Sequence, residues 1–215
     1  VLRTVQGAQA QPAVMAQRLQ QALQLDPRNS FRLLKQNSDP TGKKHIRYQQ
    51  LFDGLPVYGE QLIVHDDGKG AVYALTGAAI DGMENDLAGN DAGQQAFSGQ
   101  AAIDKARQEV RRYLAAPGGA VVSYRNEKIE LMIYLDDTQT AHDVWVISYV
   151  AEATGATPVR PFFIMDADDG RILKSWNGMT HAPVGTGPGG NEKTGLVEYG
   201  TDRPFLDVTQ VTSTC

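Results

Sequence analysis

The chain has 215 residues, 41% of them hydrophobic and 21% charged, with a formal net charge of −5. That balance supports one large or two small globular domains and excludes the weakly hydrophobic, highly charged regime of disordered chains. A mild acidic charge without a basic, aromatic-interleaved patch argues against a nucleic-acid partner. No apolar run approaches the roughly 18 residues that span a bilayer.

In residues 12–25, Met15, Leu19, Ala22 and Leu23 recur at helical spacing, and Asp26-Pro27 is expected to stop the helix. Residues 44–80 read as an antiparallel meander. Tyr48, Gln50 and Phe52 alternate with Arg47, Gln49 and Leu51, Asp53-Gly54 turns, residues 57–65 return, and Asp66-Asp67-Gly68 leads into residues 71–79. Residues 84–93 become polar and glycine-bearing, a predicted domain boundary.

A second unit repeats the scheme. Ser98 is placed to cap a helix whose apolar stripe is Ile103, Ala106, Val110, Tyr113 and Leu114, ending before Pro117-Gly118-Gly119. Residues 128–135 alternate, residues 144–150 are apolar on both faces, and residues 161–165 and 171–176 flank an Asp168-Asp169-Gly170 turn. A helix followed by strands, twice over, predicts an α+β fold of two helix-on-antiparallel-sheet (cystatin-like) domains in tandem. The expected domains are 1–93, 94–179 and a junction segment, 180–215.

That junction begins Thr180-His181-Ala182-Pro183 and continues through Gly185, Gly187, Gly189 and Gly190. Its glycines and prolines rule out a helix and weaken any strand, so an exposed, extended linker open to proteolysis is expected.

Catalytic signatures are sparse. His45, His65, His142 and His181 form no His-Glu-x-x-His pattern and no pair at helical ligand spacing. No Gly-x-Ser-x-Gly elbow is present. Asp166-Ala167-Asp168-Asp169-Gly170 departs from a calcium-binding EF loop, with its glycine fifth rather than sixth and Asn177 where a Glu is needed, so a hairpin turn is predicted. The residues alone describe a binding module that is not an enzyme and holds neither metal nor cofactor. The single cysteine, Cys215, is either a free thiol or half of a bridge to a partner elsewhere.

One stretch carries a family resemblance. His45-Ile-Arg-Tyr-Gln-Gln-Leu-Phe-Asp-Gly-Leu-Pro-Val-Tyr-Gly-Glu-Gln-Leu-Ile-Val-His65 resembles the fungalysin/thermolysin propeptide domain. Residues 98–179 resemble the PepSY domain that follows it. The segment from Ala182, with Gly187-Pro-Gly-Gly-Asn-Glu-Lys-Thr-Gly195 and Tyr199-Gly-Thr-Asp202, resembles the mature N-terminus of vibriolysin- and pseudolysin-like zinc proteases. The resemblance implies the pro-region of a secreted thermolysin-like zinc metalloendopeptidase, acting as intramolecular chaperone and inhibitor of a cognate catalytic domain. It further implies autoprocessing at His181-Ala182, and an inhibitory tail of Asn177, Gly178, Met179, Thr180 and His181. Zinc, and calcium with it, would reside in the catalytic domain, where a cysteine would pair with Cys215. Residues 1–6 lack the apolar core of a signal peptide, so export through a bacterial periplasm to the exterior implies a leader already removed. A free-standing secreted inhibitor or envelope ligand-binding protein built from the same units is the alternative.

Overall fold

The computed structural model describes residues 12–87, 95–114, 121–179, 184–185, 187–191, 195–199 and 206–207. Residues Val1–Trp176 make one unit and Asn177–Cys215 a second. The first unit opens with α1 (Pro12–Leu23), on which Met15 and Leu19 are fully buried. Burying side chains of this size stabilises the fold by about 2 kcal/mol each. The helix stops before the proline expected to end it, because Gln24 adopts a left-handed conformation with φ 56°.

Four strands follow: β1 (Asn29–Ser38), β2 (Lys44–Phe52), β3 (Leu55–Asp66) and β4 (Val72–Gly77). Each pairs antiparallel with the next. The helix α1 covers this part of the sheet through a core of Phe31, Ile46, Tyr48, Leu62, Val64 and Val72. Asp53 (φ 48°) and Gly54 (φ 82°) make the two-residue turn between β2 and β3, both in the left-handed region such hairpins need.

Beyond β4 lies α2 (Met83–Asp86), a single helical turn, and then α3 (Gly99–Tyr113). The Ser98 hydroxyl accepts from the Ala101 N–H at 3.2 Å, which is the predicted cap. Four strands complete the unit: β5 (Ser123–Leu135), β6 (Ala141–Glu152), β7 (Pro161–Asp166) and β8 (Ile172–Asn177). The helix buries Ala102, Ile103, Ala106, Val110 and Leu114 against Ile147, Tyr149, Ala151, Phe163 and Met165.

The strands form one eight-stranded sheet in the order β1-β2-β3-β5-β6-β7-β8, with β4 also on β3. The two halves join by a parallel contact at Val57 and Ile133. Behind the join sits a third core of Phe52, Val57, Met83, Leu87, Ile133 and Ala141. The fold is thus α+β with a large, mostly antiparallel sheet. Leu87 falls in the stretch read as a polar boundary and Met83 directly precedes it, yet both are inserted into this core.

The two halves share their turn chemistry. Between β1 and β2, Asp39 Oδ1 accepts from Thr41 N, Thr41 Oγ1 and Lys43 N at 2.8, 2.7 and 3.0 Å. Between β5 and β6, Asp136 Oδ1 accepts from Thr138 N, Thr138 Oγ1 and Thr140 N at 2.8, 2.7 and 3.0 Å. A left-handed residue stands at the same place in each turn, Gly42 (φ 83°) and Gln139 (φ 64°). A second pair of turns also corresponds, with Asp66 and Asp166 accepting from the backbone ahead of Gly70 (φ 95°) and Gly170 (φ 71°).

In the second unit, β9 (Val184–Gly185) pairs with β12 (Leu206–Asp207) and β10 (Gly187–Asn191) with β11 (Gly195–Tyr199), both antiparallel. Strand pairing within 187–191 differs from the extended linker expected there. In a two-stranded ladder each strand keeps an edge, so Pro188, opposite Glu198, is tolerated without its N–H.

Candidate functional site

The tail expected to act leaves the end of β8, which is the last strand in the sheet order. Asn177 and Gly178 are exposed and Met179 is half-buried. The Asn177 Oδ1 accepts from the Met179 N–H at 3.1 Å, an Asx turn that bends the chain as it leaves the strand. Thr180, His181, Ala182 and Cys215 lie outside the described residues. Just before the tail, Trp176 stacks face to face on Phe162, with centroids 5.0 Å apart and planes 3° apart. The Arg160 guanidinium lies 5.3 Å over the same Phe162 ring. Trp176 keeps 37% of its surface exposed, so the edge beside the tail offers a rigid, cation-capped aromatic surface of the kind that interfaces use.

Polar side chains fix the other end of the sheet. Gln50 is fully buried: its Nε2 donates to Asn29 Oδ1 at 2.7 Å and to the Ile80 carbonyl at 2.6 Å, and its Oε1 accepts from the Ile80 N–H at 2.8 Å. Gln49, on the opposite face of a strand, would ordinarily meet solvent. A register shift between Gln49 and Leu51 draws it inside, where Nε2 donates to the carbonyls of Val57 at 2.6 Å and Glu60 at 3.0 Å. This pair clamps the start of β1, the bend of β3 and the chain after β4. Sequence reading assigned both to an ordinary alternating strand; two adjacent glutamines inside a run of large β-formers was the available signal.

Carboxylates gather where the halves meet. Asp143 is 9% exposed, and burial raises its carboxyl above the usual range, with Asp168, Asp166 and Asp53 pushing the same way by charge. His142 stands between Asp166 (Nδ1 to Oδ2, 3.1 Å) and Asp136 (Nε2 to Oδ2, 3.2 Å). The Asp136 carboxyl is held far below its usual range, chiefly by the Thr138 hydroxyl and then by the Thr140 amide. The turn read against a calcium loop is a hairpin turn here, since Asp166 Oδ1 is engaged by the Asp168 and Asp169 amides at 2.9 and 3.3 Å.

His45 and His65 face one another across β2 and β3, Nδ1 to Nδ1 at 2.8 Å. Among the described residues, no three His, Cys, Asp or Glu side chains are placed to hold a metal ion. A cavity of about 530 Å³ between α3 and β5 is lined by Arg107, Arg111, Tyr124 and Glu127, among others. Within it Arg107 grips Glu127 with three bonds of 2.9, 2.6 and 2.7 Å, and Arg111 Nε donates to the Tyr124 hydroxyl at 2.9 Å.

Comparison with known proteins assigns the class. Residues 29–79, from the start of β1 to just beyond β4, match the Fungalysin/Thermolysin Propeptide Motif. The chain is 35% identical to a virulence metalloprotease of Vibrio anguillarum over 92% of its own length and 32% of the relative's. It is 37% identical to a neutral protease of Vibrio proteolyticus over 86% of its length and 29% of the relative's. With the hemagglutinin/proteinase of Vibrio cholerae it shares 32% identity over 99% of its length and 33% of the relative's. The matched motif and these relatives support a propeptide of a thermolysin-like metalloprotease. The chain spans about a third of the length of the curated relatives it matches.

Proposed function

We propose that the chain chaperones and inhibits its own zinc metalloendopeptidase catalytic domain and is removed by autoprocessing at His181-Ala182. The observation that carries the reading is the propeptide motif over 29–79, set within similarity to metalloproteases that covers nearly the whole chain. Residues 1–93 act as the propeptide-motif domain and 94–179 as a PepSY domain, two cystatin-like copies of one helix-on-sheet plan. The matched turn hydrogen bonds of Asp39 and Asp136 support that duplication. From Ala182 onward the chain opens the mature protease, which carries the zinc site and the calcium, and Cys215 pairs within it. The precursor passes through the periplasm and leaves the cell.

A tethered inhibitor acts at high effective concentration, so modest affinity suffices before cleavage. A protease protected by a high unfolding barrier needs a template to cross that barrier once. After cleavage the new His181 carboxylate occupies the cleft as a product does, with Asn177, Gly178, Met179 and Thr180 leading it there. The exposed start of this tail supports that route.

The test is refolding of the denatured catalytic domain with and without the pro-region, followed by a peptidase assay with intact and tail-deleted pro-region. Activity should be recovered only with the pro-region, and deletion of residues 177–181 should weaken inhibition at least tenfold. Unchanged inhibition by the deleted form removes the tail from the mechanism. Intact mass should show fragments divided at His181-Ala182.

A further inference from the structure

The contact between His45 and His65 has a property that no role as a protease pro-region requires. An Nδ1-to-Nδ1 distance of 2.8 Å is a hydrogen bond only if one ring brings an N–H and the other a lone pair. The contact is therefore satisfied when the pair carries no extra proton or one, and fails when it carries two, because two N–H donors and two like charges then face each other.

The surroundings accommodate the first proton and oppose the second. On the β1–β2 turn, Asp39 Oδ2 lies 3.7 Å from His45 Nε2, placing an anion at ion-pair distance from the pair. The β4 side offers His65 no anion: Nε2 meets the Thr76 hydroxyl at 3.0 Å, and the Tyr73 ring lies 5.9 Å away. The Lys43 ammonium sits 5.2 Å over that tyrosine, a further positive charge on the same side. On β1 the residue opposite His45 is the neutral Asn37, and on β4 the residue opposite His65 is Ala74. The next rung, Lys44 with Asp66, points to the other face of the sheet. Burial, followed by the charge of His45, lowers the affinity of His65 for a proton.

We propose that His45 and His65 form a proton-operated latch on β2, β3 and β4: closed while at most one ring is charged, and forced open by the second proton. The sign follows from linkage. A histidine whose folded pKa lies below its ordinary value contributes full stability above about pH 6.5, and that stability is lost as the pH falls through the folded value. Acidification below neutrality thus loosens the half of the unit that contains residues 29–79, independently of what that half binds.

The test is urea unfolding of the 215-residue chain from pH 8 to pH 5, beside His65→Gln and His45→Gln, with His142→Gln as a control outside the pair. One linked proton steepens the unfolding constant by at most about tenfold per pH unit. The parent chain should destabilise severalfold more than either latch variant between pH 7 and pH 5, while His142→Gln should keep that added loss. Parallel profiles for the parent and both latch variants overturn the proposal. Flattening by His65→Gln alone also overturns it, since burial of one ring would then account for the effect. Should a latch variant fail to fold at pH 8, imidazole NMR of the parent chain decides: two mutually dependent titration steps support the latch, and independent titrations refute it.

Discussion

Replacing Gln50 with methionine tests whether the glutamine clamp, rather than apolar packing, holds the start of β1 to the chain beyond β4. Methionine keeps an unbranched side chain of similar length, so the site stays filled and the loss is confined to polar contacts. Three bonds disappear: Asn29 Oδ1 loses its donor, and both the N–H and the carbonyl of Ile80 lose their partners. Asn29 is 3% exposed and Gln50 fully buried, so water does not readily replace what is removed. An orphaned buried polar group costs about 1–3 kcal/mol, and Ile80, half-buried, lies at the lower end of that range. The sum is about 3–5 kcal/mol, a large part of the 5–15 kcal/mol typical of a whole domain. Urea unfolding followed by far-UV circular dichroism at pH 7.5 reads the difference directly. A loss under about 1 kcal/mol, with unchanged cooperativity, would refute the reasoning and assign the region's order to its apolar contacts.

Two further substitutions probe backbone conformation. Gln139→Gly should stabilise the chain by about 0.5–1 kcal/mol in the same unfolding assay. Gln139 is an exposed non-glycine residue at φ 64°, and Gly42 holds the corresponding position in the first half; a loss of stability would show that the side chain contributes. Gly77→Ala should cost about 2 kcal/mol or more, since φ is 104° and an added Cβ would stand 2.0 Å from the Gln61 carbonyl oxygen on the neighbouring strand. A neutral result in thermal melts would mean that β4 can shift away from β3.

Regions governed by local rules were legible in the sequence. Ser98 caps α3, its stripe of Ile103, Ala106 and Val110 is buried, and Asp53-Gly54 makes its hairpin. Strand β1 was not legible. Leu33 and Leu34 are adjacent and each 43% exposed, and a bulge between Leu33 and Lys35 interrupts the alternation, so no period of two survives. Gln49 and Asp143 escaped because their burial is imposed by a register shift and by the join of two cores, both products of distant pairing. The tail residues Asn177 and Gly178 entered through the family resemblance, and they lie exposed at the end of an edge strand. The pairing of 187–191 was discounted because glycine lacks side-chain packing, although its backbone remains competent to form a ladder.

Strand β3 changes partner along one edge: residues 62–66 hold β4, and Val57 alone holds β5, with Gly59 between them at φ 82°. Its other edge stays with β2 almost throughout. The eight strands therefore form two panels on a common spine, joined by one ladder rung, a small apolar patch, the Tyr58–Tyr134 ring contact and the bond from Ala141 N to Asp86. Tilting one panel against the other disturbs few bonds, whereas deforming either panel disturbs many. Such a body can change its curvature while keeping each panel's pattern of contacts intact.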